Sequence, residues 1–425
     1  MNWLERVRTI FNDKEQAWAV KDDMKDQISR WGRLYRQGSL QGTGSLRLPA
    51  AIASELARLA VCELETRLTG GVRAEFLQQQ YAEAVAALRG WAEYGFACGG
   101  MVLKVVPQEK SLRVECIGAD CFTPLGYTDG QMTAAEFTET AYHQGRRYRR
   151  AERHRLQDGR YEITNTATDS SGRMVPLEQL PQWSDLAPSV VLEGVTRPLF
   201  VYFRTPMANS TQPQSPLGVS VYANAVELIA QAEEQWERID WEYRGSELAL
   251  DASEDLFEHR RDGSVVLPEG KERLFRAYDI DIGQSSGKFL EVFSPAIRDD
   301  SLFNGFNNIL RRIEFNCGLA YGTLSDPHNV ERTAEEIKAG KQRSYSTVCD
   351  LQRALERALR ELAEVLDIWT TLTGCCEAGD YTAEFAWGDS IVSDSDTLRR
   401  SHREDVAAGL MTAQEYRHIW YGKEG

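Results

Sequence analysis

The chain has 425 residues, a length that divides into two or more domains, and its 64 acidic residues against 49 basic ones leave a net charge of −15. That balance excludes a protein that grips nucleic acid or anionic membrane by bulk charge, while leaving room for a local basic contact. No run of about eighteen apolar residues occurs, which excludes a bilayer-spanning helix. The opening MNWLERVRTIFNDKEQAW has no uninterrupted apolar segment and no small-residue cleavage site, so the expectation is a protein made and folded in a cytosol.

In chain order, LPAAIASELARLAVCELETRL (48–68) places Ile52, Leu56, Leu59 and Glu63 in helical step, with Gly70-Gly71 as a stop. AEFLQQQYAEAVAALRGWAEYG (74–95) repeats the pattern, so an α layer is expected. From about residue 101 the period changes to two. MVLKVVP, LRVECIG, AEFTETAYHQG, RRYRRAERHRL and RYEITNTAT read as strands, and Asp158-Gly159 is a two-residue hairpin turn. That turn sets Leu156 opposite Tyr161 and Arg155 opposite Glu162. The basic run RRYRRAERHR reads as a solvated strand facing Glu136 and Glu139, with a phosphate-binding edge as the alternative.

PLFVYFRTP (198–206) precedes MANSTQPQSPLG, the clearest boundary in the chain. Beyond it, Val221, Ala225, Leu228, Ala232, Trp236, Ile239 and Tyr243 predict a helix from Val219 to about Arg244, about 26 residues and about 39 Å long. Residues 246–296 hold short strand-like pieces, SVVLP, RLFRAYDID and KFLEVFSP. In DDSLFNGFNNILRRIEFNCG a second helix sets Leu302, Phe306, Ile309, Leu310, Ile313 and Cys317 on one side, with Asp299-Asp300 at its positive end. After the loop GLAYGTLSDPHN, Thr333 and Glu336 have capping-box spacing and open a helix of about forty residues, about 60 Å, that runs to Gly374. A strand-like YTAEFAW and two short helices, the second with a Thr412/Glu415 capping box, complete the chain.

Motifs for chemistry are missing. There is no GxxxxGK[ST], no GxGxxG after a strand, no GxSxG and no HExxH. The histidines at 143, 154, 259, 328, 402 and 418 neighbour no evident nucleophile, and the cysteines at 62, 98, 116, 121, 317, 349, 375 and 376 read as small buried hydrophobes. Cys116 and Cys121 could supply two metal ligands, but no second pair accompanies them. The expectation is a non-enzymatic protein with no metal and no cofactor. The order of elements instead predicts an α+β body interrupted by two helices that carry a small β-rich module. So thin a stalk needs neighbouring copies to cover it.

With these elements in this order, the chain resembles the portal proteins of tailed, long-tailed bacteriophages. The residues that carry the likeness are WGRLYRQGSL, the hairpin RRYRRAERHRLQDGRYEITNTAT, RPLFVYFRTPMAN, FSPAIRDDSLFNGFNNILRRIEFNCGLAYGTLS and TAEEIKAGKQRSYSTVCDLQRALERALREL. The likeness rests on collinearity over most of the chain, not on one motif.

The resemblance implies a portal-like α+β architecture: a wing from 1–217, stem helices at 218–245 and 297–317, a clip at 246–296, and a tunnel loop at 318–331. A long helix with the rest of the wing then fills 332–390, and a short crown-like part 391–425. It implies a ring of identical subunits, typically a dodecamer, at one capsid vertex of the virion. Double-stranded DNA passes through such a ring without sequence preference. The implied partners are the terminase large subunit and the head-completion, scaffolding and major capsid proteins, with no membrane. In the tunnel loop, Gly322, Thr323, Leu324, Ser325, Asp326 and Asn329 are the implied channel residues. Arg311, Arg312, Lys338 and Lys341 are candidate phosphate contacts, the alternative being ion pairs with Glu314, Glu335 or a neighbouring subunit. Two other readings remain open. One is a cytosolic enzyme or nucleic-acid-processing factor whose site assembles on folding, and the other is a capsid protein of different role.

Overall fold

The structure, a computed structural model, describes residues 22–38, 45–128, 131–213, 215–262, 264–268, 274–278, 290–326, 334–388 and 395–421. Helix α1 (Asp22–Gln37) buries Met24, Ile28, Trp31 and Leu34 at steps of three and four, the signature of one apolar face. Helix α2 (Leu48–Val61) has Pro49 in its first turn, where the missing N–H costs nothing. The predicted helix over 48–68 stops at Val61, and Leu64–Gly70 is strand β1. Leu64, Thr66 and Leu68 alternate with Glu65 and Arg67, and the strand pairs with a segment more than three hundred residues away, so tertiary pairing overrides local helix propensity. Helix α3 (Val72–Cys98) runs through the middle of the body.

Strands β2 (Gly100–Pro107) and β3 (Leu112–Gly118) form a three-stranded sheet in which β2 is central and β10 (Phe200–Arg204) lies on its far side. A six-stranded antiparallel sheet follows, with β4 (Phe122–Thr128), β5 (Gln131–His143), β6 (Arg146–Gln157), β7 (Arg160–Asp169) and β8 (Met174–Val175) in order, and β9 (Ser189–Glu193) also on β7. The predicted register holds: Leu156 faces Tyr161 and Arg155 faces Glu162 across the Asp158-Gly159 turn. Arg153 pairs with Glu136 and Arg150 with Glu139, each at 2.8 Å, so part of the basic run is neutralised across strands as expected.

After this sheet, residues 217–222 are irregular and a short 3-10 turn, Ala223–Ala225, follows. The helix expected from Val219 therefore begins at Val226, as α4 (Val226–Gly245). Strands β11 (Ala249–Ser253), β12 (Glu258–His259), β13 (Val265–Val266), β14 (Phe275–Tyr278) and β15 (Leu290–Phe293) follow. β11 is central, parallel to β14 and antiparallel to β15. Helix α5 (Asp299–Cys317) returns, and α6 (Ala334–Thr373) has the predicted forty residues. From Val348 to Trp369 its apolar face lies in the common core with α2, α3 and β2. Strand β16 (Tyr381–Trp387) closes the body on β1, and α7 (Ser395–Ala407) and α8 (Ala413–Tyr421) complete the described chain. The chain is α+β, as expected. Thr333 lies outside the described residues, whereas Thr412 and Glu415 form the predicted reciprocal cap.

Candidate functional site

The hairpin of α4 and α5 is antiparallel and fastened at both ends. At its outer end Arg298 donates to both oxygens of Glu242 at 3.0 and 2.7 Å; this hydrogen bond and charge hold the Glu242 carboxyl below its ordinary value. At its inner end Asn316 donates to the Asn224 carbonyl at 3.1 Å. Between them Trp236 packs on Phe303 and Phe306, and Tyr243 on Phe303, with ring centroids 5.6–6.5 Å apart. At the inner end of α4, the Glu233 carboxylate accepts from Ser45 Oγ at 2.7 Å and from the Leu46 N–H at 3.1 Å, tying the hairpin to the body.

Much of the apolar surface on this protrusion has no cover among the described residues. Trp241 is 70% exposed, and Tyr243, Leu248, Leu256, Leu290, Val292, Ile297 and Phe315 are exposed too, all of them on the hairpin or its β-rich tip. Where such side chains adjoin one another they suit an interaction surface.

Helix α5 ends at Gly318, whose φ of 69° is the left-handed C-cap conformation; a Cβ there would collide with the Thr347 side chain of α6. The Leu319 N–H returns to the Glu314 carbonyl at 2.9 Å and turns the chain back onto its own helix. Glu314 is fully buried, and its side chain organises the loop beyond the turn. One carboxylate oxygen accepts the N–H groups of Gly322, Leu324 and Ser325 at 3.0, 2.6 and 2.8 Å, and the other accepts the Ser325 hydroxyl at 2.9 Å. Asn307 Oδ1 takes the Asp326 N–H at 2.9 Å. A buried carboxylate surrounded by four donors satisfies the loop's backbone where no regular structure does.

The predicted site residues therefore divide. Thr323 and Asp326 are exposed, Gly322 and Leu324 half-buried, and Ser325 is buried with its hydroxyl committed to Glu314. Asn329 lies outside the described residues, as do the side chains of Lys338 and Lys341. Arg312 is exposed on α5, and Arg311 is half-buried, its Nε and one terminal nitrogen lacking a hydrogen-bond partner among the described residues. The expected ion pair of Arg311 or Arg312 with Glu314 does not form, because the loop's N–H groups occupy the carboxylate. Sequence reasoning missed Arg343 of α6, whose guanidinium lies 4.4 Å from the Phe315 ring and 5.3 Å from Tyr321, joining α6, α5 and the loop. It also missed Glu314 as an acceptor.

A second polar cluster lies on the inner face of the six-stranded sheet, along a cleft of about 510 Å³. Lys104 Nζ contacts both oxygens of Glu152 at 3.0 Å, Arg150 reaches Glu152 at 2.9 Å, and His154 links Glu152 at 2.6 Å to the Tyr161 hydroxyl at 2.7 Å. Burial alone would raise the Glu152 carboxyl, but the His154 hydrogen bond and the Lys104 charge outweigh it and hold the group below the usual carboxylate range. Burial lowers His154, against the pull of Glu152. Every charged member has a partner, so the cluster is a satisfied network at the base of the sheet. Cys116 sits beside Met101, and burial pushes its thiol up to about 12. Among the described residues no group of three or more His, Cys, Asp or Glu could hold a metal ion.

Compared with known proteins, the chain matches no family model and no curated protein. What can be said of function therefore rests on the chain's own geometry.

Proposed function

We propose that this chain is a portal-type subunit of a tailed bacteriophage, which assembles with copies of itself into a ring at a capsid vertex and conducts double-stranded DNA during packaging and ejection. One observation carries the reading: an antiparallel helical hairpin projects from an α+β body, bears a small β-rich tip, and leaves Trp241 and its apolar neighbours in water. Closing a ring of identical copies would cover such faces without leaving an unmatched end. The net charge of −15 supports passage over capture, since a conduit that neutralised many phosphates would hold DNA in place. In this reading the tip is the docking surface for the terminase large subunit and the head-completion proteins, and the body meets scaffolding and major capsid proteins. Thr323, Asp326 and Arg312, which are exposed beside the inner end of the hairpin, are the groups presented to passing DNA.

Negative-stain microscopy and native mass spectrometry of the purified chain test this. The expected result is a closed ring with a central opening wide enough for a duplex. A species that stays monomeric at high concentration and across salt would overturn it.

A further inference from the structure

The outer face of the six-stranded sheet carries a feature that the channel reading does not use. Strand β6 alternates, so His154, Glu152 and Arg150 face inward while Arg147, Arg149, Arg153 and Arg155 face outward, together with Ala151. All four of these arginines are exposed. They form two pairs, each spaced about 6.7 Å, separated by about 13 Å where Ala151 intervenes, and together span about 27 Å along the strand. Threonines flank them on both sides: Thr138 and Thr140 on β5, and Thr164, Thr166 and Thr168 on β7.

Neutralisation is incomplete. Arg153 pairs with Glu136, and Arg149 donates only to the neutral Thr138 hydroxyl, at 3.0 Å. Arg155 lies opposite Glu162 in register, but neither it nor Arg147 has a hydrogen-bond or ion-pair partner among the described residues. Four arginines against two glutamates leave positive charge on one flat face of a strongly acidic chain. Beside Arg149 the face adjoins a hollow of about 250 Å³ that Lys25, Ser29 and Thr123 also line. Asp120 is there as well, its carboxylate occupied by Arg36 and Tyr94.

We infer that this sheet face binds the phosphate backbone of double-stranded DNA without sequence preference. Guanidinium and hydroxyl groups are the donors that phosphates take, and the spacing within each arginine pair is close to the rise of two base pairs, about 6.8 Å. A protein partner fits less well. Tyr142 is the one large apolar side chain on these rows, and a stable protein interface needs a desolvated apolar centre. The inference does not rest on the ring reading, because the face belongs to the body and not to the hairpin.

The test is fluorescence anisotropy of a labelled 30-base-pair duplex with the full chain, titrated with salt from about 50 mM. Arg147→Gln/Arg155→Gln removes two cations that hold nothing else, so its thermal unfolding should match the parent. The expected result is at least about tenfold weaker binding and a slope of log K against log salt reduced by about two, while Arg89→Gln, at an exposed position of α3, leaves both unchanged. Three results would overturn the proposal. These are no binding of duplex at the lowest salt, equal binding by the double variant, or binding of heparin but not of duplex, which would point to an acidic protein.

Discussion

Replacing Glu314 with alanine removes the acceptor for three backbone N–H groups and one hydroxyl. Each unmatched buried donor costs about 1–3 kcal/mol, so a loop that stayed closed with four of them would lose roughly 4–12 kcal/mol. Opening to water rehydrates those donors and sacrifices mainly the burial of Leu319 and part of Leu324, about 2–3 kcal/mol. The smaller cost wins, so in Glu314→Ala the loop opens while the rest of the fold stays closed. In Glu314→Gln the amide oxygen still accepts the N–H groups and the amide nitrogen meets the Ser325 hydroxyl, so the loop stays shut at a cost of about 1 kcal/mol. Hydrogen exchange read by mass spectrometry distinguishes the two. Peptides covering 319–326 should exchange roughly 30- to 150-fold faster in the alanine variant, with peptides from α3 unchanged. If Gly322, Leu324 and Ser325 exchange as slowly in Glu314→Ala as in the parent, the carboxylate does not hold the loop and the reasoning fails.

Arg73, 2% exposed at the start of α3, donates to the Asp367 carboxylate and carbonyl, the Cys376 carbonyl and the Thr371 hydroxyl near the end of α6. Arg73→Met should lower stability by about 3–5 kcal/mol in urea unfolding, and Arg73→Lys should recover less than half, since one ammonium cannot reproduce the fork. His154 has its folded pKa below the ordinary 6.5, so below that pH the unfolded chain binds a proton that the folded chain refuses. Stability should therefore fall as pH drops below 6.5, and His154→Gln should flatten that limb of a thermal-shift profile; an unchanged slope would exclude His154 as its source. Gly318→Ala should cost about 2–3 kcal/mol by chemical denaturation, from the left-handed backbone and the collision with Thr347; Thr347→Ala should return only the steric share.

Where neighbours in sequence decide the structure, the sequence was readable. The Asp158-Gly159 turn fixes the β6–β7 register by itself, and the apolar step from Val348 to Trp369 announces α6. Residues 64–70 were not readable, because Leu, Glu and Arg suit a helix and only the distant partner β16 makes them a strand. Strand β11, ALDAS, lacks clear alternation and is likewise defined by its neighbours. Of the candidate site, the positions of the hairpin and loop came from periodicity and glycines, but the role of Glu314 did not. Its sequence neighbours Arg311 and Arg312 suggested an ion pair, whereas the left-handed turn at Gly318 brings in four donors that outcompete them. The Glu152–His154 network did leave a trace: two polar residues at even positions of a strand on which Leu156, also even, packs against the core.

The hairpin leaves the body beside Asn224 and re-enters it beside Asn316, two residues joined by a single hydrogen bond of 3.1 Å. A chain that departs and returns across so narrow a doorway makes everything beyond it an insertion whose length scarcely alters closure entropy. Evolution, or an engineer, can thus exchange the projecting cassette for a longer, shorter or differently tipped one while the host domain keeps its own architecture.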